Sequence, residues 1–266
     1  MKGLKKHLLN REIAIKHILE KPASSFTPAA FHKLRVEIKR LNAFFELVEF
    51  SLKGFNRNKA IKPFKQIFRQ AGKVREIQVE EALLKKYLTS SLLVGYRKDL
   101  RLQKSKERTT FYKLINESAT GRMRKSIHKT IPMLAEIDKK KVNSYLKEKR
   151  NRIFKHLIQY ELKPVQIHDL RKLFKSYYYN KDLVVKGVQN PTLDWPAELP
   201  ELLGRWHDSY VISMKLDQVI TSAGIDPEEI IHIQKIMGII SSESETKLRR
   251  IKEIVSASYR YDELKL

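Results

Sequence analysis

The sequence contains no cysteine, so it can form neither a disulfide bond nor a thiolate metal site. It also lacks any run of about 18 apolar residues, the length that a membrane-spanning helix requires. The segment Met1 to Glu20 carries too many charged side chains to be a signal peptide. We therefore expect a soluble, intracellular protein that has no transmembrane span.

The chain is also poor in residues that interrupt helices, with only nine glycines and nine prolines among 266 residues. Apolar residues recur at steps of three and four over long segments, which is typical of amphipathic helices. Patterns typical of β-strands are few. The composition and the periodicity together predict an all-α fold, and the length is sufficient for one large domain or two small ones.

The periodicity and the helix-breaking residues predict where the helices begin and end. Thr27 should cap the second helix, with Pro28 in its first turn, and Asp226 should cap another helix near the C-terminus. Gly121 should end a helix, whereas Gly72, inside one, should permit close packing. The predicted helices span residues 2–20, 28–53, 58–88, 92–118, then 122–140 and 142–161 as one helix or two, and 201–222, 227–240 and 243–259, with residues 180–200 as the longest irregular connection.

Negative charge is scarce: 54 lysines and arginines stand against only 30 acidic residues, which gives a formal net charge of +24. An excess of this size indicates an anionic partner, such as nucleic acid, polyphosphate or an acidic membrane surface. A hydrophobic content of 42% nevertheless allows a folded core, unlike the composition of a disordered basic tail.

The segment from Phe31 to Leu41 combines a cationic stripe with an apolar stripe. At helical spacing His32, Arg35 and Lys39 share one face, which Asn42 extends. A single stripe of this kind is usually only a solvent-exposed face. The apolar stripe lies about 100° further round the helix and consists of Leu34, Ile38, Leu41, Phe45 and Val48.

A second segment, from His168 to Tyr177, repeats this arrangement. Counted from each histidine, basic residues stand three and seven positions on, as Arg171 and Lys175 in the second copy. Apolar residues stand two, six and nine positions on in both copies. The cationic and apolar stripes therefore recur in phase, which favours a binding role for both cationic stripes over simple exposure.

A shorter block follows each histidine segment at a similar distance. The first, at residues 71–76, reads Ala-Gly-Lys-Val-Arg-Glu, and the second, at residues 203–208, reads Leu-Gly-Arg-Trp-His-Asp. Each contains a glycine followed by a base, an apolar residue, a base or histidine, and an acid. Two blocks in the same order at comparable spacing predict a two-fold internal duplication, because the period of a solenoid would be far shorter.

The H-x-x-R-x-x-x-K segments, each followed by a glycine block, resemble the CHAD family, whose name denotes a conserved histidine α-helical domain. The resemblance covers nearly the whole chain. It implies an all-α fold of two helical bundles related by a pseudo-two-fold axis, in one domain of residues 1–266 with halves at about 1–161 and 164–266. It also implies that a basic surface or central channel binds inorganic polyphosphate, with no catalysis and no cofactor.

The second half departs more from the family pattern than the first. Asn42 and Tyr178 replace a common arginine, and Ser176 stands at the position that Arg40 occupies in the first copy. We therefore expect the second half to bind more weakly. The binding residues that carry over from the family motif are His32, Arg35, Lys39 and Arg40 in the first segment, and His168, Arg171 and Lys175 in the second.

Further basic residues are candidates because they precede or belong to the glycine blocks, although a solvated face is the simpler interpretation of each. Residues 97–108 are also strongly basic, but we expect them to be exposed without a binding role. The further candidates are Lys62, Lys65, Arg69, Lys73, Arg75, Arg205 and His207.

Two other functions fit parts of the sequence. A nucleic-acid-binding protein would need no more than the net charge, although the aromatic residues mostly lie on apolar stripes. A metal-dependent phosphohydrolase would use the His-Asp dipeptides at His168 and His207, but the further ligands that it needs are missing. Residues 243–247 spell E-x-E-x-K, which resembles triphosphate tunnel enzymes, yet their surroundings predict a helix and not a barrel strand.

Inorganic polyphosphate is therefore the preferred partner, with no metal or cofactor, and nucleic acid is the less favoured one. A neighbouring polyanion would favour the protonated forms of His32 and His168, which could then donate hydrogen bonds to phosphate. We expect a cytoplasmic location, where binding could direct the protein to polyphosphate granules.

Overall fold

The computed structural model describes residues 2–87, 93–157, 164–181, 183, 195–196, 198–221 and 226–263. Within these ranges the chain is helical and contains no β-strand, which confirms the predicted all-α class. No helix in them is both long enough and apolar enough to cross a membrane. The helices in chain order are α1 (Lys2–Leu19), α2 (Pro28–Ser51), α3 (Arg57–Tyr87), α4 (Val94–Leu114), α5 (Glu117–Thr130), α6 (Lys139–Leu157), α7 (Pro164–Lys181), α8 (Glu198–Ile220) and α9 (Pro227–Glu263).

Side chains at helix starts satisfy backbone N–H groups that have no partner within the helix. Thr27 Oγ1 accepts a hydrogen bond from the Ala30 N–H at 3.3 Å, and Pro28 occupies the first position of α2. Asp226 Oδ1 accepts one from the Glu228 N–H at 2.9 Å at the start of α9. Both predicted caps are confirmed, because each depends only on local sequence.

At least three predicted helix boundaries are wrong. The helix predicted at residues 122–140 is interrupted, because α5 ends at Thr130 and α6 begins at Lys139. Gly121 lies inside α5, which starts where Asn116 accepts a hydrogen bond from the Ala119 N–H at 2.9 Å. The two helices predicted at residues 227–240 and 243–259 form the single helix α9. A helix-interior glycine costs only about 1 kcal/mol, which burial of an apolar face can offset. In α9 one buried stripe continues without a change of phase through Ile233, Ile236, Ile240, Ile251 and Ile254.

The described chain forms two compact units. Unit 1 contains the described residues of Met1–Glu81, Tyr96–Arg150 and Ser176–Val188, and unit 2 those of Ala82–Gly95, Asn151–Lys175 and Gln189–Leu266. Residues 161–163 of the predicted junction between halves and most of the predicted connection at 180–200 lie outside the described residues. The proposed halves and their pseudo-two-fold relation therefore stay predictions.

Unit 1 has a large apolar core, in which α1 packs against α2 and α5. Phe26, Phe31 and Phe111 are buried, and their ring centroids lie 4.9 to 5.2 Å apart. These rings join the turn before α2 to α2 itself and to α4. The predicted apolar stripe of α2 is buried in the same core, at Leu34, Ile38, Leu41, Phe45 and Val48.

Unit 2 has a core of its own, in which α8 packs against α9. The rings of Phe174 in α7 and Trp195 meet edge to face with centroids 4.9 Å apart. Lys247 Nζ of α9 donates a hydrogen bond to Ser209 Oγ of α8 at 3.1 Å. Aromatic packing and a polar contact between helices thus both contribute to this unit.

A buried charge network in unit 1 joins α2, α6 and α7. Lys149 of α6 is 4% exposed, and its ammonium group hydrogen-bonds the Glu46 carboxylate. The Ser176 hydroxyl donates to the same carboxylate at 2.7 Å, and Arg57 Nη1 lies 3.8 Å from it. Burial acts to raise the pKa of Glu46, but the hydrogen bonds from Lys149 and Ser176 and the nearby positive charges together lower this pKa below its ordinary value. The ionised carboxylate therefore compensates a lysine charge inside the core.

Removal of the Glu46 charge should destabilise the protein far more than removal of an exposed carboxylate. In Glu46→Gln the buried Lys149 loses its compensating anion, which typically costs about 3 kcal/mol or more. Glu148→Gln, on the exposed surface of α6, should change the free energy of unfolding by less than about 0.5 kcal/mol. Urea denaturation of the two variants and the wild type measures both changes.

The same carboxylate should contribute to the acid sensitivity of the fold. Because the pKa of Glu46 is lowered in the folded state, its contribution is complete above the unfolded carboxyl pKa of about 4.3 and is lost as the pH falls through the folded pKa. The free energy of unfolding should therefore fall less steeply below about pH 4 in Glu46→Gln than in the wild type. Parallel acid limbs for the two proteins would contradict this assignment.

Candidate functional site

The predicted cationic stripe of α2 lies at the surface of unit 1, beside the buried apolar stripe. His32 is exposed, and Arg35 and Lys39 are half-buried. Asn42, at the end of the stripe, accepts a hydrogen bond from Arg57 Nε at 3.0 Å. Three basic side chains thus form a row over about 10 Å of helix.

Arg35 joins the histidine segment to the glycine block of the first half. Its Nη1 donates a hydrogen bond to the Phe68 carbonyl oxygen of α3 at 3.0 Å. Its Cζ lies 4.5 Å from the centroid of the Phe68 ring, within the range of a cation–π interaction. The guanidinium group is therefore held against α3, so an anion that binds it removes little further rotamer freedom.

Gly72 provides the space that this guanidinium group occupies. A Cβ atom at Gly72 would collide with Arg35 Nη1 and lie 3.2 Å from its Cζ. The close packing predicted for Gly72 is thus confirmed, and its neighbour is a cation of the candidate site. At Gly204, the corresponding glycine of α8, a Cβ atom would meet no heavy atom of the described residues within 4 Å.

The basic row of α3 is only partly neutralised by acidic residues. Lys73, at the end of the row, lies 3.7 Å from a carboxylate oxygen of Glu107 in α4. Arg75 is half-buried one turn beyond Gly72, on the side of α3 that Arg35 contacts. The remaining members are exposed, with no ion-pairing carboxylate among the described residues: Lys62, Lys65 and Arg69.

Arg40 lies off the cationic stripe, about 80° round α2 from His32. Its Nη1 pairs with Glu37 Oε1 at 3.0 Å, and its Cζ lies 5.7 Å from the centroid of the Tyr179 ring. Arg11 of α1 pairs with the other oxygen of the same carboxylate at 2.7 Å. Glu37 is only 4% exposed. Sequence reasoning missed this buried acid, which lies on the apolar side of the helix, and the contacts of Arg40 separate it from the row of α2.

In unit 2 the histidine segment and the glycine block also meet, here through their histidines. The rings of His168 in α7 and His207 in α8 have centroids 4.8 Å apart and planes inclined at 41°. Arg171 and Lys175 are half-buried and share the helical face of His168. The structure therefore brings together two of the candidate residues that are distant in sequence.

Arg205 does not join this group. It stands two positions before His207, which places it on a nearly opposite face of α8, and its Nη2 pairs with Glu201 Oε1 at 2.5 Å. Ser176, at the position that corresponds to Arg40, belongs to unit 1, where it donates a hydrogen bond to the Glu46 carboxylate. Because Arg40 and Ser176 both lie off their cationic stripes, they do not explain a difference in binding between the halves.

The enzyme-like fragments of the sequence lie in helices, and two of them form ion pairs. Asp169 pairs with Lys172 at 3.1 Å, and this hydrogen bond lowers the pKa of Asp169. Glu243 and Lys247 pair within α9 at 3.1 Å, and a hydrogen bond from Tyr87 helps to hold the pKa of Glu243 at about 2. Among the described residues, no three histidine or acidic side chains come together in a group that could hold a metal ion.

Comparison with known proteins shows that the family model described as CHAD domain matches residues 12–217. PptA from Streptomyces chartreusis is similar in structure, with a TM-score of 0.70 at 14% identity, over 95% of this chain and 98% of that one. The CHAD domain from the plant Ricinus communis is similar with a TM-score of 0.72 at 14% identity, over 96% of this chain and 88% of that one. At this identity the two structures show a shared fold alone. No curated protein matches the chain in sequence.

Replacement of Gly72 by alanine should displace Arg35 without unfolding α3. At an open helix position, glycine to alanine stabilises a protein by about 1 kcal/mol, and Gly204→Ala should do so. In Gly72→Ala the new Cβ atom takes the space of the guanidinium group, so lost contacts with Phe68 should cancel the gain. The free energies of unfolding of both variants measure the difference.

A double-mutant cycle tests whether the effect arises from Arg35. In an Arg35→Ala background the steric conflict is absent, so Gly72→Ala should recover most of the stabilisation of about 1 kcal/mol. Equal effects of Gly72→Ala in the two backgrounds would show that Gly72 and Arg35 are not coupled.

Proposed function

The chain belongs to the CHAD domain family, and on that basis we propose that it binds inorganic polyphosphate without catalysis. Proteins of this family are generally polyphosphate-binding modules. The observation that carries the proposal is the contact of Arg35 with Phe68 and Gly72, which joins the histidine segment to the glycine block. This contact fixes a cation of α2 beside the basic row of α3.

Polyphosphate is a flexible line of phosphate groups that each carry roughly one negative charge, so a row of cations suits it better than a shaped pocket. Arg35 offers a planar fork to two phosphate oxygens, whereas Lys39 offers a point charge. The exposed row of Lys62, Lys65 and Arg69 extends over about 10 Å of α3 and supplies further charge. The net charge of +24 also raises the local concentration of any polyanion.

In unit 2 we assign binding to His168, Arg171 and Lys175, with His207 against His168. Two protonated imidazoles with centroids 4.8 Å apart repel each other, and a bound polyanion offsets that repulsion. Phosphate binding and histidine protonation should therefore support each other in this unit.

Nucleic acid is the less favoured ligand, because few aromatic rings are placed to stack on bases. Phe44, Phe45 and Phe64 are fully buried. Tyr177 and Tyr178 are half-buried and contact each other edge to face, with centroids 5.6 Å apart. Recognition through phosphate groups alone fits these placements better than recognition through bases.

Reversal of four charges should abolish binding of long-chain polyphosphate while the helix content, measured by circular dichroism, stays unchanged. Each stripe loses two attractive contacts and gains two repulsive ones. The variant carries glutamate at Arg35, Lys39, Arg171 and Lys175. A matched control has the same total charge and carries glutamate at the exposed positions Lys125, Lys129, Lys235 and Arg249.

The control should bind polyphosphate within a few-fold of the wild type, and normal binding by the stripe variant would show that the proposed residues are wrong. Competition at equal charge concentration separates the possible ligands, since polyphosphate should displace single-stranded DNA and heparin. Release of orthophosphate with Mg²⁺ or Mn²⁺ that is lost in His207→Ala would instead support a phosphohydrolase.

The first stripe should contribute more to affinity than the second. Arg35 is held against Phe68 and Gly72, whereas a Cβ atom at Gly204 would meet no heavy atom of the described residues within 4 Å. Arg35→Glu should therefore weaken polyphosphate binding more than Arg171→Glu does, as isothermal titration calorimetry would measure. Equal losses in the two variants would count against the difference.

A further inference from the structure

A second row of basic side chains runs along α4, on residues to which the proposed function gives no role. Arg97, Arg101, Lys104 and Arg108 follow one another at steps of four, three and four, so they share one helical face over about 16 Å. This face borders a surface depression of about 330 Å³. The depression is lined by Arg101, Lys104, Ser105, Arg108, Thr109 and Tyr112.

Two of these cations are held in place by neighbouring groups. Arg108 Nη2 donates hydrogen bonds to the Ala23 carbonyl oxygen at 3.3 Å and to the Tyr112 hydroxyl at 3.1 Å. The Tyr112 hydroxyl donates to the same carbonyl at 3.0 Å. Lys104 Nζ lies 2.6 Å from Glu81 Oε1 of α3. An anion that enters the depression therefore meets side chains whose freedom is already restricted.

The depression keeps a net positive charge. Glu81 offsets the charge of Lys104, whereas Arg101 is exposed and has no ion-pair partner among the described residues. The contacts of Arg108 are with a carbonyl and a hydroxyl, which orient its guanidinium group without neutralising it. Because the Tyr112 hydroxyl is engaged and its ring half-buried, the lining favours phosphate oxygens over a stacked base.

The depression shares no lining residue with the cationic stripe of α2, and the two contact different sides of α3. Arg35 contacts α3 at Phe68 and Gly72. Gln70 donates a hydrogen bond to the Glu107 carbonyl oxygen of α4, and Glu80 and Glu81 accept hydrogen bonds from Tyr96 and Lys104 of α4. These positions lie on a different side of α3 from Phe68 and Gly72. A ligand on α4 therefore uses residues that the stripe of α2 does not.

We propose that the depression on α4 is a second phosphate-binding site of unit 1, which takes phosphate groups of an inorganic polyphosphate chain. Arg101 and Arg108 form the charge-assisted hydrogen bonds to phosphate oxygens. The identity of the chain rests on the proposed function, whereas the contact rests on the residues of α4. A single free phosphate ion and the phosphates of a nucleic acid are the other sources of the same group.

The double variant Arg101→Gln/Arg108→Gln tests the site in the full-length protein, with long-chain polyphosphate as the probe over a series of salt concentrations. Each lost phosphate contact should reduce the slope of log affinity against log salt by about one. The affinity at low salt should fall about tenfold, as expected for two charge-assisted contacts. Lys106→Gln/Lys113→Gln, with the same spacing and charge loss on the opposite face of α4, should keep the wild-type slope.

The single variant Arg101→Gln distinguishes a loss of phosphate contacts from a loss of folding. Arg108 contacts the turn before α2, whereas Arg101 is exposed, so Arg101→Gln should leave the thermal unfolding transition unchanged. It should still show about half of the slope change of the double variant. An unchanged slope in Arg101→Gln would overturn the α4 site.

The outcomes separate this inference from the proposed function. If the wild type binds polyphosphate and both double variants change the slope of log affinity against log salt by the same amount, the α4 site is overturned and the proposed function stays intact. No binding of polyphosphate by the wild type would overturn the proposed function and the assignment of the chain together. If the two double variants no longer differ in slope when orthophosphate is present in excess, the ligand of the depression is a free phosphate ion. A change confined to single-stranded RNA would identify nucleic acid, and either result would overturn the proposal.

Discussion

The scarcity of negative charge is the physical constraint on which the interior of both units depends. With 30 acidic residues against 54 lysines and arginines, at least 24 of these cations cannot each have a carboxylate of their own. The fold therefore uses single glutamates to contact two basic side chains, often from different helices, and these shared carboxylates join helices within a unit. Glu12 meets Arg124 and His128, Glu37 meets Arg11 and Arg40, Glu46 meets Arg57 and Lys149, and Glu243 meets Lys86 and Lys247.

The candidate site also holds a cation through uncharged groups. Arg35 is oriented by a carbonyl oxygen and an aromatic ring of Phe68, and neither group removes its positive charge. A guanidinium group can approach α3 this closely only where the helix has no Cβ atom, which is the case at Gly72. Gly72 costs about 1 kcal/mol in helix propensity. In return it lets the Arg35 guanidinium group lie against α3. The same logic applies to Arg108, which a carbonyl and a hydroxyl orient.

The sequence was sufficient wherever structure depends on near neighbours in the chain. The caps at Thr27 and Asp226 and the buried stripe of α2 were predictable, because each follows from side chains within one helix. The helix end predicted at Gly121 is wrong, because the low helix propensity of one glycine is outweighed by the packing of the helix around it. The partner of each base was not predictable, because ion pairs depend on which helices become neighbours. The pairing of Arg40 with Glu37 is of this kind, and so is the burial of the charged Lys149.

Both units bring a histidine segment against the glycine block that follows it, but they do so through different chemistry. In unit 1 the contact is made by Arg35, a group that stays protonated at every physiological pH. In unit 2 it is made by His168 and His207, a residue type whose ordinary titration lies between pH 5 and 8. The first contact therefore uses a permanently charged guanidinium group, whereas the second is a contact between two imidazole rings. Two segments of similar pattern thus make the corresponding connection with different side chains.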